Sequence, residues 1–138
     1  MGIETVVIVG AGTMGGGIGI NLAQHGFRVL LTDARPEAAD AAVTGSVAFW
    51  ARAVEKGRMS PAQAEAAQAR LVTVGSLRDL GQADLLIEAV FEDFELKVRL
   101  LTELSAKENA LIATSTSCLR VGDLAKHVTK PERFLGLH

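Results

Sequence analysis

The chain has 138 residues, of which 49% are hydrophobic, and this length and composition suit one globular domain with its own core. Its formal net charge of -2 argues against nucleic acid or an anionic membrane as a partner. One cysteine, Cys118, cannot form an internal disulfide and suits a reducing, cytoplasmic compartment. The sequence shows neither a transmembrane stretch nor the features of a signal peptide.

Short β-branched segments alternate with segments of helical period along the chain. Strands are predicted at 3–9, 27–33, 71–74, 84–90, 109–114 and 133–137. Helices are predicted at 13–25, 36–56, 61–69, 93–105 and 118–128. This alternation predicts an α/β fold, a doubly wound parallel sheet of the Rossmann type with helices on both faces. A ligand then lies at the carboxyl ends of the strands, where the strand order reverses.

Several residues mark where the helices begin and end. Ser60, Pro61 and Gln63 have the spacing of a capping box with proline at the first helical position. Gly26 and Gly57 stand where helices stop. The chain ends in an apolar run, RFLGLH, which we interpret as a strand cut short, so we expect these residues to be part of a longer protein.

A glycine-rich turn joins the first strand to the first helix and reads Gly10-Ala11-Gly12-Thr13-Met14-Gly15. The G-x-G-x-x-G pattern between a strand and a helix is typical of dinucleotide-binding proteins. The first glycine permits the tight turn, the second lets a pyrophosphate approach the backbone, and the third lets the helix lie close to the sheet. Free N–H groups at the helix start then hold the phosphates. A glycine-rich turn without a ligand is the alternative.

Three further glycines follow in the same helix. We expect Gly17 to serve close packing or cofactor approach, and Gly16 and Gly19 to be tolerated rather than required.

The second predicted strand ends in Asp33, 23 residues after Gly10. A carboxylate at this point accepts hydrogen bonds from the adenosine ribose and repels a 2′-phosphate, which predicts NAD rather than NADP. Arg35 provides a guanidinium that can hold such a phosphate, but the simpler interpretation is a solvated arginine beside Pro36.

Later segments narrow the chemistry. The stretches DLLIEAVFEDFELK (84–97), ATSTSCL (113–119) and PERFLGLH (131–138), together with GAGTMG and KGRMSPAQAEAAQARL, resemble the L-3-hydroxyacyl-CoA dehydrogenase family, which includes 3-hydroxybutyryl-CoA dehydrogenases. The resemblance covers essentially the whole chain. It implies the N-terminal NAD-binding domain of such an enzyme, followed in the family by a helical C-terminal domain that supplies most of a homodimer interface.

The resemblance also implies roles for individual residues. His138 matches the catalytic histidine, which exchanges a proton with the 3-hydroxyl of an acyl-CoA substrate, and imidazole is suited to that task near neutral pH. Ser117 matches a serine that contacts the substrate oxygen and the nicotinamide. Glu92 and Lys97 match residues that bind the nicotinamide-side ribose, and Lys56 matches a lysine that meets the CoA.

Each of these assignments has a simpler alternative. His138 can simply be the residue at which the given sequence stops, and Ser117 can cap the helix predicted at 118–128. Glu92 and Lys97 can form a solvated pair, and Lys56 can be a surface lysine at a helix end. Four other side chains have structural interpretations. They are Glu88 as a partly buried acid, Cys118 as a small, partly buried residue, and Trp50 with Phe49 as packing on a helix face, where an exposed patch can receive an acyl chain or the further domain.

The sequence departs from the family at two positions. Ser115 replaces a usual asparagine and Cys118 replaces a serine, which leaves the acyl substrate open. In the family, a glutamate about a dozen residues downstream orients the catalytic histidine, and that position lies beyond residue 138. We therefore expect residues 1–138 alone to bind NAD but to show little turnover. Two alternatives remain: a related dehydrogenase acting on another 3-hydroxy acid or on an acyl group held by a carrier protein, and a non-catalytic nucleotide-binding module.

Overall fold

The computed structural model describes residues 2–79, 81–107 and 109–138. Its strands are β1 (Thr5–Val9), β2 (Arg28–Thr32), β3 (Leu71–Thr73), β4 (Leu85–Glu88), β5 (Leu111–Thr114) and β6 (Phe134–Gly136). Its helices are α1 (Thr13–Gln24), α2 (Pro36–Glu55), α3 (Pro61–Arg70), α4 (Phe94–Lys107) and α5 (Val121–Ala125). Two short 3-10 turns, Leu77–Asp79 and Pro131–Arg133, were not predicted.

The six strands form one parallel sheet in the order β3-β2-β1-β4-β5-β6. The chain builds β1 to β3 in one direction and then returns to place β4 on the other side of β1, so the order reverses between β1 and β4. That reversal opens a crevice at the carboxyl ends of these two strands. The predicted doubly wound parallel sheet of the Rossmann type is confirmed.

Helices cover both faces of the sheet because the central strands are apolar on both sides. Along β1, Val6 and Ile8 belong to a buried cluster shared with α1, α2 and α3, whereas Val7 and Val9 belong to a second cluster shared with α4. Trp50 is fully buried in the first cluster, as a packing residue of α2. Its neighbour Phe49 is 49% exposed and therefore does not share that role.

The helix boundaries follow the predicted signals closely. Ser60 Oγ accepts a hydrogen bond from Gln63 N, and Gln63 Oε1 accepts one from Ser60 N, which completes the capping box of α3. Gly26 and Gly57 follow α1 and α2 with φ of +101° and +66°, a region that favours glycine. Within the described ranges, no helix combines the length and apolar character needed to cross a membrane.

Two predicted elements are shorter than expected. The strand predicted at 84–90 ends at Glu88, and the helix predicted at 118–128 is reduced to α5. Ala89 N still donates to the Val9 carbonyl of β1, and the Glu88 side chain then accepts a hydrogen bond from Val90 N in the turn that follows. Thr116 Oγ1 similarly accepts from Leu119 N, so a side chain–backbone turn stands where the first helical turn was predicted.

Candidate functional site

The glycine turn between β1 and α1 has the geometry that the motif requires. Gly10 has a φ of +109°, and a Cβ added to it would lie 2.4 Å from the carbonyl oxygen of Ala89. A Cβ on Gly15 would lie 1.7 Å from the carbonyl oxygen of Gly10. Around Gly12, by contrast, nothing lies within 4 Å of an added Cβ. The turn therefore leaves open space beside its second glycine and at the amino end of α1, which fits a phosphate group.

The packing of the three further glycines of α1, Gly16, Gly17 and Gly19, differs from the expectation. Gly17 is exposed, with nothing within 4 Å of an added Cβ, and it does not line the cavity described below. Gly19 is buried, and its added Cβ would lie 3.3 Å from Leu71 Cδ1. Gly16 is buried at an ordinary 3.5 Å from Ala42 Cβ. The close approach predicted for Gly17 is therefore wrong, and Gly19 is the extra glycine that packs against the sheet.

Asp33 follows β2 and supports the glycine turn. Its Oδ2 accepts a hydrogen bond from Ala11 N at 2.8 Å, and its Oδ1 accepts one from Arg35 N at 2.8 Å. The guanidinium of Arg35 lies 3.9 Å from Oδ1 and is 64% exposed, so it is a largely solvated arginine. The Asp33 carboxylate is thus fixed beside the turn by two backbone donors.

A buried ion pair lies where β4 ends and α4 begins. The side chains of Glu88 and Lys97 have no solvent exposure, and Lys97 Nζ donates to Glu88 Oε1 at 2.5 Å. Lys97 Nζ also donates to the carbonyl oxygen of Val90 at 3.0 Å. Glu88 is thus fully rather than partly buried. The alternative of a solvated pair between Glu92 and Lys97 is wrong, because the ammonium is inside the protein.

Glu92 lies at the edge of this pair with 40% of its side chain exposed. Its Oε2 accepts a hydrogen bond from Thr116 Oγ1 at 2.6 Å, and its Oε1 lies 3.4 Å from Lys97 Nζ. The Thr116 hydroxyl lowers the pKa of the Glu92 carboxyl; desolvation opposes this effect, while the charge and hydrogen bond of Lys97 and the Cys118 N–H lower the pKa further. Glu92 is therefore held as an ionised acceptor.

A cavity of about 820 Å³ runs along the carboxyl edge of the sheet. It brings together most of the predicted site residues, including Gly10, Gly12, Thr13, Met14, Asp33, Glu92, Ser115, Ser117 and His138. These residues follow β1, β2, β4, β5 and β6, which are neighbours in the sheet. Since strands are spaced by about 4.8 Å, the four intervals from β2 to β6 span roughly 19 Å. Such an edge suits an elongated ligand with a second reactant at one end.

Ser117 and Cys118 lie in the turn after β5. Ser117 does not cap the following helix, because the N-cap of α5 is Arg120, so that alternative is wrong. Cys118 is exposed, which corrects the expectation of a partly buried residue, and its Sγ lies 3.6 Å from Ser117 Oγ. His138 is exposed and lines the same cavity as Ser117. The geometry therefore leaves Ser117 free to meet a ligand.

Lys56 is exposed at the C-cap of α2 and does not line this cavity. Its contact with CoA stays a prediction.

The comparisons with known proteins agree with this geometry. The family model described as "3-hydroxyacyl-CoA dehydrogenase, NAD binding domain" matches residues 5–138. The chain belongs to this family. The matched region is its NAD-binding domain, so NAD is the cofactor that the family assignment supports. Among the described residues, no group of three or more metal-ligating side chains could hold a metal ion.

Relatives from several bacteria share the domain. The fatty acid oxidation complex subunit alpha of Pseudomonas entomophila is 37% identical over 99% of this chain and 19% of its own length. A 3-hydroxybutyryl-CoA dehydrogenase from Escherichia coli K12 superposes with a TM-score of 0.96 at 36% identity, over 100% of this chain and 30% of that one. The corresponding enzyme from Ralstonia eutropha gives 0.94 at 34% identity, over 99% and 49%. The chain thus spans half or less of these relatives.

Sequence reasoning missed two threonines of the NAD-binding domain. Thr114 ends β5 and donates to Glu88 Oε2 at 2.6 Å, and Thr116 donates to Glu92. A signal for them existed, because threonines two positions apart at a strand end point to the same side of the sheet. The leucines of α4 divide between the core and the cavity. Leu101 and Leu104 are buried in the core, whereas Leu96 and Leu100 line the cavity, and Leu100 also packs against the core from its edge.

Proposed function

We propose that residues 1–138 act as one dinucleotide-binding domain in an enzyme that interconverts L-3-hydroxyacyl and 3-oxoacyl thioesters of CoA. The observation that carries this proposal is that one continuous cavity extends from Asp33 and the glycine turn to Ser117 and His138. A cofactor site and a proton-exchanging side chain along one continuous cavity are the arrangement that hydride transfer to or from a bound alcohol requires.

The cofactor would lie along the edge in a defined direction. The first-turn N–H groups of α1 and the open space beside Gly12 support a pyrophosphate at the glycine turn. Asp33, beyond β2, would accept hydrogen bonds from the adenosine ribose, and its charge disfavours a 2′-phosphate. Glu92, beyond β4, would accept hydrogen bonds from the ribose at the nicotinamide side. When bound, NAD supplies the hydride acceptor or donor.

The substrate end of the cavity is formed by the turn after β5 and the end of β6. Ser117 would donate a hydrogen bond to the substrate oxygen and hold it beside the nicotinamide. His138 would take the proton from the 3-hydroxyl in oxidation and return it in reduction. Lys56 would meet the CoA outside the cavity. Lys97, being buried, would act on the nicotinamide-side ribose through Glu92 rather than by direct contact.

The presence of Ser115 favours a second candidate function, that of a related dehydrogenase acting on another 3-hydroxy acid or on an acyl group held by a carrier protein. Ser115 is only 8% exposed and lines the cavity. A hydroxyl in place of the family's usual amide removes one hydrogen-bonding group near the reacting carbon. A comparison of CoA thioesters, carrier-protein thioesters and free hydroxy acids as substrates distinguishes the candidates.

The proposal also covers the compartment, the oligomeric state and the further domain of the longer protein, as the family resemblance implies them. The longer protein would be a cytoplasmic homodimer, with a helical domain outside these residues forming most of the interface.

The first test measures cofactor binding by calorimetry. We expect the chain to bind NAD more tightly than NADP and Asp33→Asn to narrow that difference, since the amide keeps an acceptor while losing the charge. Failure of the chain to bind either dinucleotide would refute the proposal.

The second test measures NADH-dependent reduction of acetoacetyl-CoA by this chain and by a version extended to the length of its relatives. We expect His138→Gln to abolish reduction in the extended version while leaving NAD binding intact. If the extended protein binds NAD and reduces no substrate in the comparison, a non-catalytic nucleotide-binding module is the better description.

A further inference from the structure

We propose that Glu88 and Thr116 are positioning residues that hold the carboxylate of Glu92 at the nicotinamide side of the cofactor cavity. Neither Glu88 nor Thr116 lines the cavity, whereas Glu92 does. Thr116 bonds Glu92 directly, and Glu88 acts on it through Lys97. This inference deepens the proposed function and rests on the position that it gives to Glu92.

Lys97 connects the two carboxylates from inside the protein. Its ammonium has three N–H donors, and three oxygens surround it: Glu88 Oε1 at 2.5 Å, the carbonyl of Val90 at 3.0 Å and Glu92 Oε1 at 3.4 Å. Its side chain has no solvent exposure. A ligand in the cavity therefore reaches this charge only through the groups that Lys97 holds.

Glu88 compensates the buried charge of Lys97. An unpaired ammonium in the interior is strongly unfavourable, so a buried carboxylate close to it is required. Glu88 is further fixed by Val90 N, which donates to Oε1, and by Thr114 Oγ1, which donates to Oε2. Because Lys97 lies closer to Glu88 than to Glu92, the charge of Glu92 remains available to donors in the cavity.

Thr116 fixes Glu92 from the opposite side. Its backbone N–H donates to Thr114 Oγ1 at 3.3 Å, and its own hydroxyl accepts from Leu119 N at 3.1 Å. With those contacts made, the hydroxyl proton points to Glu92 Oε2 at 2.6 Å. Thr116 is only 7% exposed, so water does not compete freely for this bond.

The contacts form a closed ring that joins the loop after β4 to the loop after β5. In order, its members are Lys97, Glu88, Thr114, Thr116 and Glu92. An ionised carboxylate accepts hydrogen bonds and donates none, so it suits the two hydroxyls of a ribose. A carboxylate that is already oriented binds them with less loss of side-chain freedom, which is the benefit of preorganisation.

The test compares ligands that share the adenosine half and differ at the other end. NAD and ADP-ribose contain the second ribose, whereas ADP lacks it. We expect Thr116→Val, which keeps the side-chain shape, to raise the Kd of NAD and ADP-ribose by roughly tenfold, a typical effect of losing a hydrogen bond to a charged group. The Kd of ADP should stay unchanged. Thr116→Ser should restore most of the lost affinity.

Two further variants make the test independent of one substitution. Glu88→Gln keeps the shape but releases Lys97 towards Glu92, and we expect the same selective loss for NAD. Thr102→Val removes an exposed hydroxyl of α4 that bonds the carbonyls of Val98 and His127, outside the ring, and should change no Kd. Circular dichroism checks that each variant is folded.

The acid limb of NAD binding gives a second readout. Since the Thr116 hydroxyl lowers the pKa of Glu92, Thr116→Val should move the loss of affinity on acidification to a higher pH. An equal loss for NAD and ADP would indicate a merely structural role and overturn the inference. Wild-type affinity for NAD in both Thr116→Val and Glu88→Gln would also overturn it, while leaving the proposed function intact. A wild-type chain that binds none of the three ligands would overturn both.

Discussion

Replacement of Gly15 by alanine tests whether the close approach of α1 to the glycine turn governs both stability and cofactor binding. The added Cβ would lie 1.7 Å from the carbonyl oxygen of Gly10, whereas ordinary contact begins at 3.4 Å. The start of α1 must therefore move by about half of that contact distance. The obstacle is backbone, so no side-chain rotation relieves it, and Gly16 N, which donates to the Gly12 carbonyl at 2.8 Å, must move as well.

The size of the effect follows from two opposed terms. Overpacking costs about 1–3 kcal/mol, and a rigid obstacle places this site at the upper end of that range or beyond it. Alanine gains at most about 1 kcal/mol over glycine in helix propensity. We expect a net loss of roughly 2 kcal/mol, which lowers Tm by roughly 6 °C in a domain of this size. NAD affinity should fall sharply, because the displaced helix no longer directs its N–H groups at the phosphates.

Gly17→Ala is the matched control, two positions along the same helix. Gly17 is exposed, and nothing lies within 4 Å of its added Cβ, so only the propensity gain remains. We expect a stabilisation of about 0.5–1 kcal/mol with unchanged NAD affinity. Urea unfolding followed by circular dichroism, together with calorimetric titration of NAD, measures both quantities. If Gly15→Ala and Gly17→Ala shift stability by the same amount and bind NAD alike, the steric argument is refuted.

Three further changes probe the scaffold. Asp84 accepts hydrogen bonds from the backbone N–H groups of Thr5 and Glu4, which lower the pKa of its carboxyl below 3.8 and stabilise the fold at neutral pH. This stabilisation should be lost as the pH falls from about 3.8 towards the folded pKa, so the free energy of unfolding, measured with urea at a series of acidic pH values, should depend less on pH in Asp84→Asn than in the wild type. Ser60→Ala removes the capping box and should cost about 1 kcal/mol, and an unchanged urea midpoint would count against that cap. Leu101→Ala, at a fully buried position, should cost about 2–5 kcal/mol in the same assay, and a loss below 1 kcal/mol would contradict its placement in the core.

The parts of the fold that depend on local patterns were predictable. Alternating apolar strands and amphipathic helices specify a doubly wound sheet, and Ser60, Gly26 and Gly57 mark boundaries through capping and backbone conformation. The positions of the glycine turn and Asp33 were predictable for a related reason. Each directly follows a predicted parallel strand, and ligands bind at the carboxyl ends of such strands.

Other features depend on contacts between distant segments, which no local pattern displays. Whether Gly17 or Gly19 faces the sheet depends on how α1 packs against Ile8, Val29 and Leu71, which come from three different strands. The burial of Lys97 was missed because a lysine in the first turn of a helix is ordinarily solvated. Its burial requires Glu88 on the preceding strand. The two residues are nine positions apart, a spacing that indicates no contact until the relative positions of β4 and α4 are known.

The location of the buried ion pair argues that it serves the site rather than the stability of the fold. Burying a carboxylate and an ammonium costs several kcal/mol per ion, and apolar replacements of similar volume are often neutral or stabilising. Glu88 and Lys97 nevertheless lie where β4 ends, beside the reversal of strand order and one contact away from the cavity. Packing alone does not explain why the hydrogen bonds of this pair continue through Thr114 and Thr116 to the Glu92 carboxylate on the cavity wall. The ring is better explained as the support that keeps Glu92 charged, oriented and open to a ligand.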